Sequence, residues 1–101
     1  MIACYIIYSP SLDIFYVGIT QEGIEARLAQ HNDNSYGTHF TSRAKDWQQF
    51  LLLPCDSVAQ SMKIEEHIKK MKSRKYFYNL KKYPEIFQRL KEKYRATWLS
   101  R

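Results

Sequence analysis

A chain of 101 residues, 45% apolar and 15% aromatic, is long enough for one modest hydrophobic core and too short for two. No apolar run is long enough to span a bilayer, and Met1-Ile2-Ala3-Cys4-Tyr5 has neither the charged nor the apolar region of a signal peptide, so a cytoplasmic protein with no membrane role is expected. The formal charge of +6 is concentrated: Lys63, Lys69, Lys70, Lys72, Arg74, Lys75, Lys81 and Lys82 stand against Glu65 and Glu66, and the rest of the chain balances.

Two apolar β-type runs, Ile2–Tyr8 and Ile14–Ile19, flank the turn-forming Ser9-Pro10-Ser11 and predict a hairpin. A four-residue loop, Ser9–Leu12, sets Tyr8 opposite Asp13 and Tyr5 opposite Tyr16. The two phenols then share one sheet face, with Cβ atoms about 5 Å apart. Gly18 interrupts the second run, where the missing Cβ lets a phosphate or a neighbouring chain come close. Cys4 and Cys55 are too few for a disulfide scaffold or a zinc site, and are read as small core residues.

Gly23–His31 follows with Ile24, Leu28 and His31 at helical spacing, and Asn32 suits a left-handed cap. Arg27 and His31 lie one turn apart on this helix. By itself Arg27 could cap carbonyls or pair with Glu25 or Asp46, and a histidine in the last turn is favoured by the helix dipole. Residues 33–45 are polar and predict a surface loop carrying His39 and Arg43; Trp47–Leu53 is a third strand closed by Pro54.

Ser57 with Gln60 forms a capping box for a helix reaching about Lys72. Ile64, Ile68 and Met71 mark one apolar edge and Val58 and Met62 another; Glu65 falls between them and Glu66 outside. A carboxylate facing the sheet is costly unless a cation, salt bridge or hydrogen bonds compensate it, and Lys69 or Arg27 could do so. Pro84 opens a last helix within 84–101, with Ile86, Phe87, Leu90, Tyr94 and Trp98 on its buried side. The whole, 1–101, is one α+β domain: a three-stranded antiparallel sheet flanked by helices in the order β-β-α-β-α-α, with both sheet faces largely covered. The basic run, interleaved with Tyr76, Phe77, Tyr78 and Tyr83, suits a polyanion-binding face, and equally a solvated helix surface.

Cys4-Tyr5-Ile6, Tyr16-Val17-Gly18-Ile19-Thr20, Arg27-Leu28-Ala29-Gln30-His31-Asn32, the stretch from Lys63 to Arg74 around Glu65, and Asn79 occur in the order that resembles the GIY-YIG nuclease superfamily. The likeness runs from Tyr5 to about Leu90. It is closest to small stand-alone members related to the N-terminal nuclease domain found in the C component of excinuclease ABC, which makes DNA repair an expected setting. One departure is plain: Ala3-Cys4-Tyr5 stands where the family name has glycine and isoleucine before tyrosine.

The resemblance implies an endonuclease that hydrolyses DNA phosphodiester bonds. On it, Tyr5 takes a proton from water, Tyr16 orients water or phosphate, Arg27 binds the phosphate, and His31 is a second candidate base. Glu65 holds one Mg²⁺ or Mn²⁺. Gly18, His39, Arg43, Lys69, Lys70, Lys72, Arg74, Lys75 and Asn79 are the expected nucleic-acid contacts, with Asn79 alternatively a helix-end cap. The expected substrate is branched or duplex DNA, with RNA left open, and the expected assembly a monomer or homodimer, with a separate specificity partner as a further option. The competing reading is a basic module that binds nucleic acid and cuts nothing.

Overall fold

The computed structural model describes residues 1–33 and 41–95. His39 and Trp98, the latter the expected end of the last helix, lie outside the described residues. Three strands, β1 (Ala3–Ser9), β2 (Ile14–Thr20) and β3 (Gln48–Pro54), form an antiparallel sheet in the order β2-β1-β3. Around it lie α1 (Ile24–Asn32), a 3-10 turn at Thr41–Arg43, α2 (Val58–Met71), α3 (Arg74–Lys82) and α4 (Pro84–Tyr94).

The hairpin register differs from the expected one. Ser9 pairs with Ile14, so the loop is Pro10–Asp13, and Tyr5 opposes Gly18 while Tyr16 opposes Ile7. The loop shifts because Asp13 adopts a left-handed conformation (φ 55°) and its N–H closes on the Ser9 carbonyl at 2.7 Å. Asp46 adds a clamp from outside, accepting from the Ser9 hydroxyl at 2.7 Å and the Ser11 amide at 2.8 Å. Side chains alternate with a period of two, so a two-residue slip keeps each on its face. Tyr5 and Tyr16 therefore share a face, as diagonal rather than direct neighbours.

Both faces are covered. On one, Cys4, Ile6, Val17 and Leu53 pack with Ile64, Ile68, Phe77, Leu80, Phe87 and Leu90. On the other, Tyr5 and Ile7 pack with Ile24, Ala44 and Trp47, and Tyr16 and Leu28 lie partly buried against them. Both cysteines are free; burial pushes both thiols up, which keeps them protonated, apolar core groups.

The helices show which local signals governed. Ser57 accepts from the Gln60 amide at 3.1 Å, and the Gln60 side chain accepts from the Asp56 amide at 2.7 Å and donates to the Lys91 carbonyl at 3.2 Å. Hydrogen-bonded through both its amide oxygen and its amide nitrogen, Gln60 sits in the core, whereas Met62 and Met71, expected on apolar edges, are 54% and 44% exposed. Glu65 is half-buried and Glu66 exposed, in agreement with their helical phases. Asn32 is not a left-handed cap. It stays helical, and its amide brackets the Trp47 backbone, accepting from N–H at 2.6 Å and donating to C=O at 3.0 Å. A tertiary partner outcompeted the local turn. Lys72 instead takes the left-handed position (φ 47°), ending α2 so that Ser73 can cap α3, a helix the sequence reading does not assign. Among the described residues no helix is long and apolar enough to cross a membrane.

Gly18 faces the ring of Tyr5. A Cβ there would stand 2.6 Å from the phenol oxygen and 2.7 Å from Cζ, and Tyr5 is fully buried and has nowhere to retreat. Gly18→Ala is expected to destabilise the fold by about 1–3 kcal/mol through overpacking, measured by urea unfolding. Unchanged stability would show that Tyr5 can shift.

Candidate functional site

The sequence-selected residues gather where β2 forms an edge of the sheet. Tyr5 comes from central β1 and lies across Gly18, and its hydroxyl meets Nε2 of His31 at 2.8 Å. Both residues are fully buried. The missing Cβ of Gly18 makes room for the Tyr5 ring. The Tyr16 ring lies 5.2 Å from the imidazole centroid, so His31 stands between the two phenols. Burial, and then the positive charge of Arg27, pull the His31 pKa down from 6.5 to about 4. The imidazole is thus neutral at neutral pH, and one nitrogen can accept the Tyr5 proton in a hydrogen bond.

The β2–α1 connection holds Arg27 and His31 in place. The Thr20 hydroxyl accepts from the amides of Glu22 and Gly23 at 3.2 and 3.0 Å and donates to the Gly23 carbonyl at 3.2 Å. Gly23 starts the helix with φ 139°, a backbone that side-chain-bearing residues rarely adopt. Thr20 and Gly23 are positioning residues that the sequence reading did not single out, although a hydroxyl three residues before a glycine at a strand-to-helix junction is a readable signal. Arg27 lines a hollow of about 320 Å³ with Ile19, Thr20, Gln21 and Glu22, and its guanidinium reaches Gln30 at 3.5 Å. Asp46, a suggested partner for Arg27, is occupied by the hairpin instead.

Glu65 reaches the same edge from the opposite side of the sheet. α2 packs with Ile64 and Ile68 on the Cys4 face, whereas Tyr5 belongs to the other. The link is Lys69, whose ammonium is 3.5 Å from the Glu65 carboxylate and 5.9 Å from the Tyr16 ring centroid. The i,i+4 pairing considered for Glu65 is therefore present. Glu65 lines a hollow of about 450 Å³ with Met62, Glu66, Lys69, Lys70 and Lys72, separate from the one lined by Arg27. Tyr5 lines neither.

The remaining sequence-selected residues are dispersed. Arg43 is exposed on the short turn packed against α1, and Lys70 and Lys75 are exposed on α2 and α3. Arg74 is tied to the hairpin: it donates to the Asp13 carboxylate at 3.0 Å and to the Asp13 carbonyl. The Tyr8 hydroxyl first, then Arg74, hold the Asp13 carboxyl below the usual range. Asn79 lies within α3, where its carbonyl serves the helix end by accepting from the Tyr83 amide at 2.8 Å.

A divalent cation would find few donors in the protein. Among the described residues no three His, Cys, Asp or Glu converge. Glu65 is half-buried, its carboxylate is accessible, and its ion pair at 3.5 Å is long and with an exposed lysine. One such carboxylate fits Mg²⁺, which keeps most of its waters and takes phosphate oxygens, better than it fits a metal needing a full protein cage.

The fold and these residues agree with the comparison against known families. The GIY-YIG catalytic-domain model matches residues 1–83. Comparison with curated proteins and with solved structures gave no match. The match takes in β1 through α3, with every residue discussed around the β2 edge, and on this ground the chain belongs to the GIY-YIG catalytic-domain family, a family of endonucleases acting on nucleic acid.

Proposed function

We propose that this protein is a metal-dependent endonuclease that hydrolyses DNA phosphodiester bonds at the β2 edge. The observation that carries the reading is the convergence on Tyr16: His31 at 5.2 Å from one side of the sheet, and Lys69, bound to Glu65, at 5.9 Å from the other. A carboxylate, an ammonium, a phenol and a neutral imidazole are thus within reach of one edge, with Arg27 on the same helix as the imidazole.

Hydrolysis needs water aimed at phosphorus and stabilisation of the charge growing on the non-bridging oxygens. Arg27, lining an open hollow, is suited to bind the phosphate through its guanidinium fork. Tyr16 is the half-buried phenol of the two, and is assigned contact with water or phosphate. Tyr5 is enclosed, so its proposed role changes from direct proton acceptor to positioning residue: its hydroxyl holds the imidazole of His31 beside Tyr16. With a pKa near 4, His31 is a weak base and serves orientation more than proton removal. Glu65 would hold Mg²⁺ or Mn²⁺, which when bound supplies Lewis-acid stabilisation of the leaving oxygen. Lys69, 3.5 Å from that carboxylate, compensates its charge.

A basic domain that only binds DNA would share the cations of α2 and α3. A half-buried glutamate paired with one of those cations serves it no purpose, because a negative charge at a phosphate site weakens binding. Plasmid nicking with Mg²⁺ or Mn²⁺ separates the two readings. Glu65→Ala and Tyr16→Phe should each lower cleavage by at least about a hundredfold, the scale of losing a principal charge-stabilising or proton-handling group. Glu65→Ala should leave DNA affinity equal or higher, and Glu66→Ala should keep most activity. Equal loss from the two glutamates would refute the assignment of Glu65, and absence of nicking by the wild type would favour the binding module.

Stability should carry the signature of a neutral, buried His31. Its folded pKa is below its unfolded value, so between pH 6.5 and about 4 the unfolded chain binds a proton that the native site refuses. Stability is therefore retained above pH 6.5 and falls as pH drops through that window, by at most about 1.4 kcal/mol per pH unit. His31→Gln should flatten this slope in urea titrations; an unaltered slope would place the proton uptake elsewhere.

If the cations of α2 and α3 meet phosphates, affinity for duplex DNA should fall by roughly 0.9 log units per log unit of salt for each phosphate neutralised. Lys70→Gln combined with Lys75→Gln should weaken binding on all sequences alike and lower that slope by about one unit per lost contact. An unchanged slope would move the binding face to Arg43 and Lys45.

A further inference from the structure

We propose that the exposed face of α3, centred on Tyr78, is a stacking platform for an unpaired nucleobase, so that the nucleic acid this protein grips includes a single-stranded stretch. The inference rests on the nucleic-acid reading above and narrows its substrate class. α3 has two distinct sides. Phe77 and Leu80 are buried, whereas Arg74, Lys75, Tyr78, Lys81 and Lys82 are all exposed. At about 100° per residue these five occupy roughly a third of the helix circumference. The helix sequence, RKYFYNLKK, contains no acidic residue, so the exposed face is one aromatic ring among four cations.

The ring is presented, not merely left outside. Tyr78 is 54% exposed, yet it is seated edge to face against Phe50 (centroids 5.2 Å apart, 90°) and Phe15 (6.1 Å, 87°). Two perpendicular aromatic contacts fix its plane, so little rotamer freedom remains to be lost when a ligand stacks on it. The Lys81 ammonium lies 4.6 Å from the Phe50 centroid, beside the same cluster. Arg74 is engaged by Asp13, which leaves Lys75, Lys81 and Lys82 for phosphates.

A solvated helix face needs the lysines but not a locked, half-exposed ring, and a base-paired duplex offers phosphates but covers its base faces. Single-stranded nucleic acid offers both. The platform also adjoins the candidate site. Phe15, under Tyr78, precedes Tyr16 on β2, and Lys72 and Ser73 join α3 directly to the helix carrying Glu65 and Lys69.

The test compares two fluorescently labelled probes by anisotropy, an oligothymidylate and a duplex closed by hairpins at both ends. Tyr78→Leu keeps an apolar side chain against Phe15 and Phe50 but removes the π-face. It should weaken oligothymidylate binding about fivefold or more while leaving the closed duplex nearly unchanged. Tyr78→Phe should bind both probes like the wild type, and Tyr78→Trp should bind the single strand at least as tightly. Urea unfolding of each variant confirms that folded protein is compared; should the leucine variant fail to fold, the phenylalanine and tryptophan variants decide. The inference is overturned if Tyr78→Leu binds the single strand normally, if it loses equally on both probes, if Tyr78→Phe loses affinity, or if Tyr78→Trp binds the single strand more weakly. A wild type that binds and nicks duplex while Tyr78→Leu is silent overturns this inference alone. A wild type that binds neither probe overturns the nuclease reading with it.

Discussion

The hydrogen bond between Tyr5 and His31, made across the bare backbone of Gly18, is the constraint on which the rest of the arrangement depends. A tyrosine in the central strand of a covered sheet must find a partner for its hydroxyl, because an unpaired buried hydroxyl costs about 1–3 kcal/mol. Its partner is on α1, 26 residues away, at 2.8 Å. To reach it, the ring has to lie over the neighbouring strand, and it can do so only where that strand lacks a side chain. The bond thus fixes the approach of α1 to the sheet. It also fixes the imidazole next to Tyr16, and Arg27 one turn before it. Thr20 and Gly23 set the helix start, Asn32 ties its end to Trp47, and Tyr5 aligns its last turn.

The two faces of the sheet have different tasks. One carries the larger core, closed by α2, α3 and α4, and it places Glu65 and Lys69 beside β2. The other carries Tyr5, His31 and Arg27. An edge strand is where groups from both faces can reach the same ligand without crossing the sheet, and β2 is such an edge because β3 pairs with β1 on the far side. Unpaired strand edges invite association. Here side chains from α1 and α2 flank that edge.

The basic segment is less uniform than its composition suggests. Arg74 is spent on the hairpin, where it locks a left-handed aspartate. Lys69 is held by Glu65, and Lys91, outside the cluster, pairs with Asp56. The cations left exposed around Tyr78 are therefore distinguished by position rather than by number. Lys72, in a left-handed conformation at the end of α2, separates this second basic helix from the first.

Periodicity and local chemistry alone determined much of this protein. The hairpin strands, the capping box at Ser57, the proline start of α4 and the phase that half-buries Glu65 and exposes Glu66 all follow from interactions within a few residues, and all are legible in the chain. The ordered motifs likewise identified the family. What only the tertiary structure decided depends on partners far apart in sequence. The hairpin register was set by Asp46 and by a left-handed Asp13, Asn32 was drawn from a capping role to the Trp47 backbone, and Gly18 proved to accommodate Tyr5. The enclosure of Tyr5 and the approach of Glu65 from the opposite face have the same origin. Sequence spacing tells which residues share a helix or strand face, but not which faces meet at an edge, because that depends on the order in which strands pair.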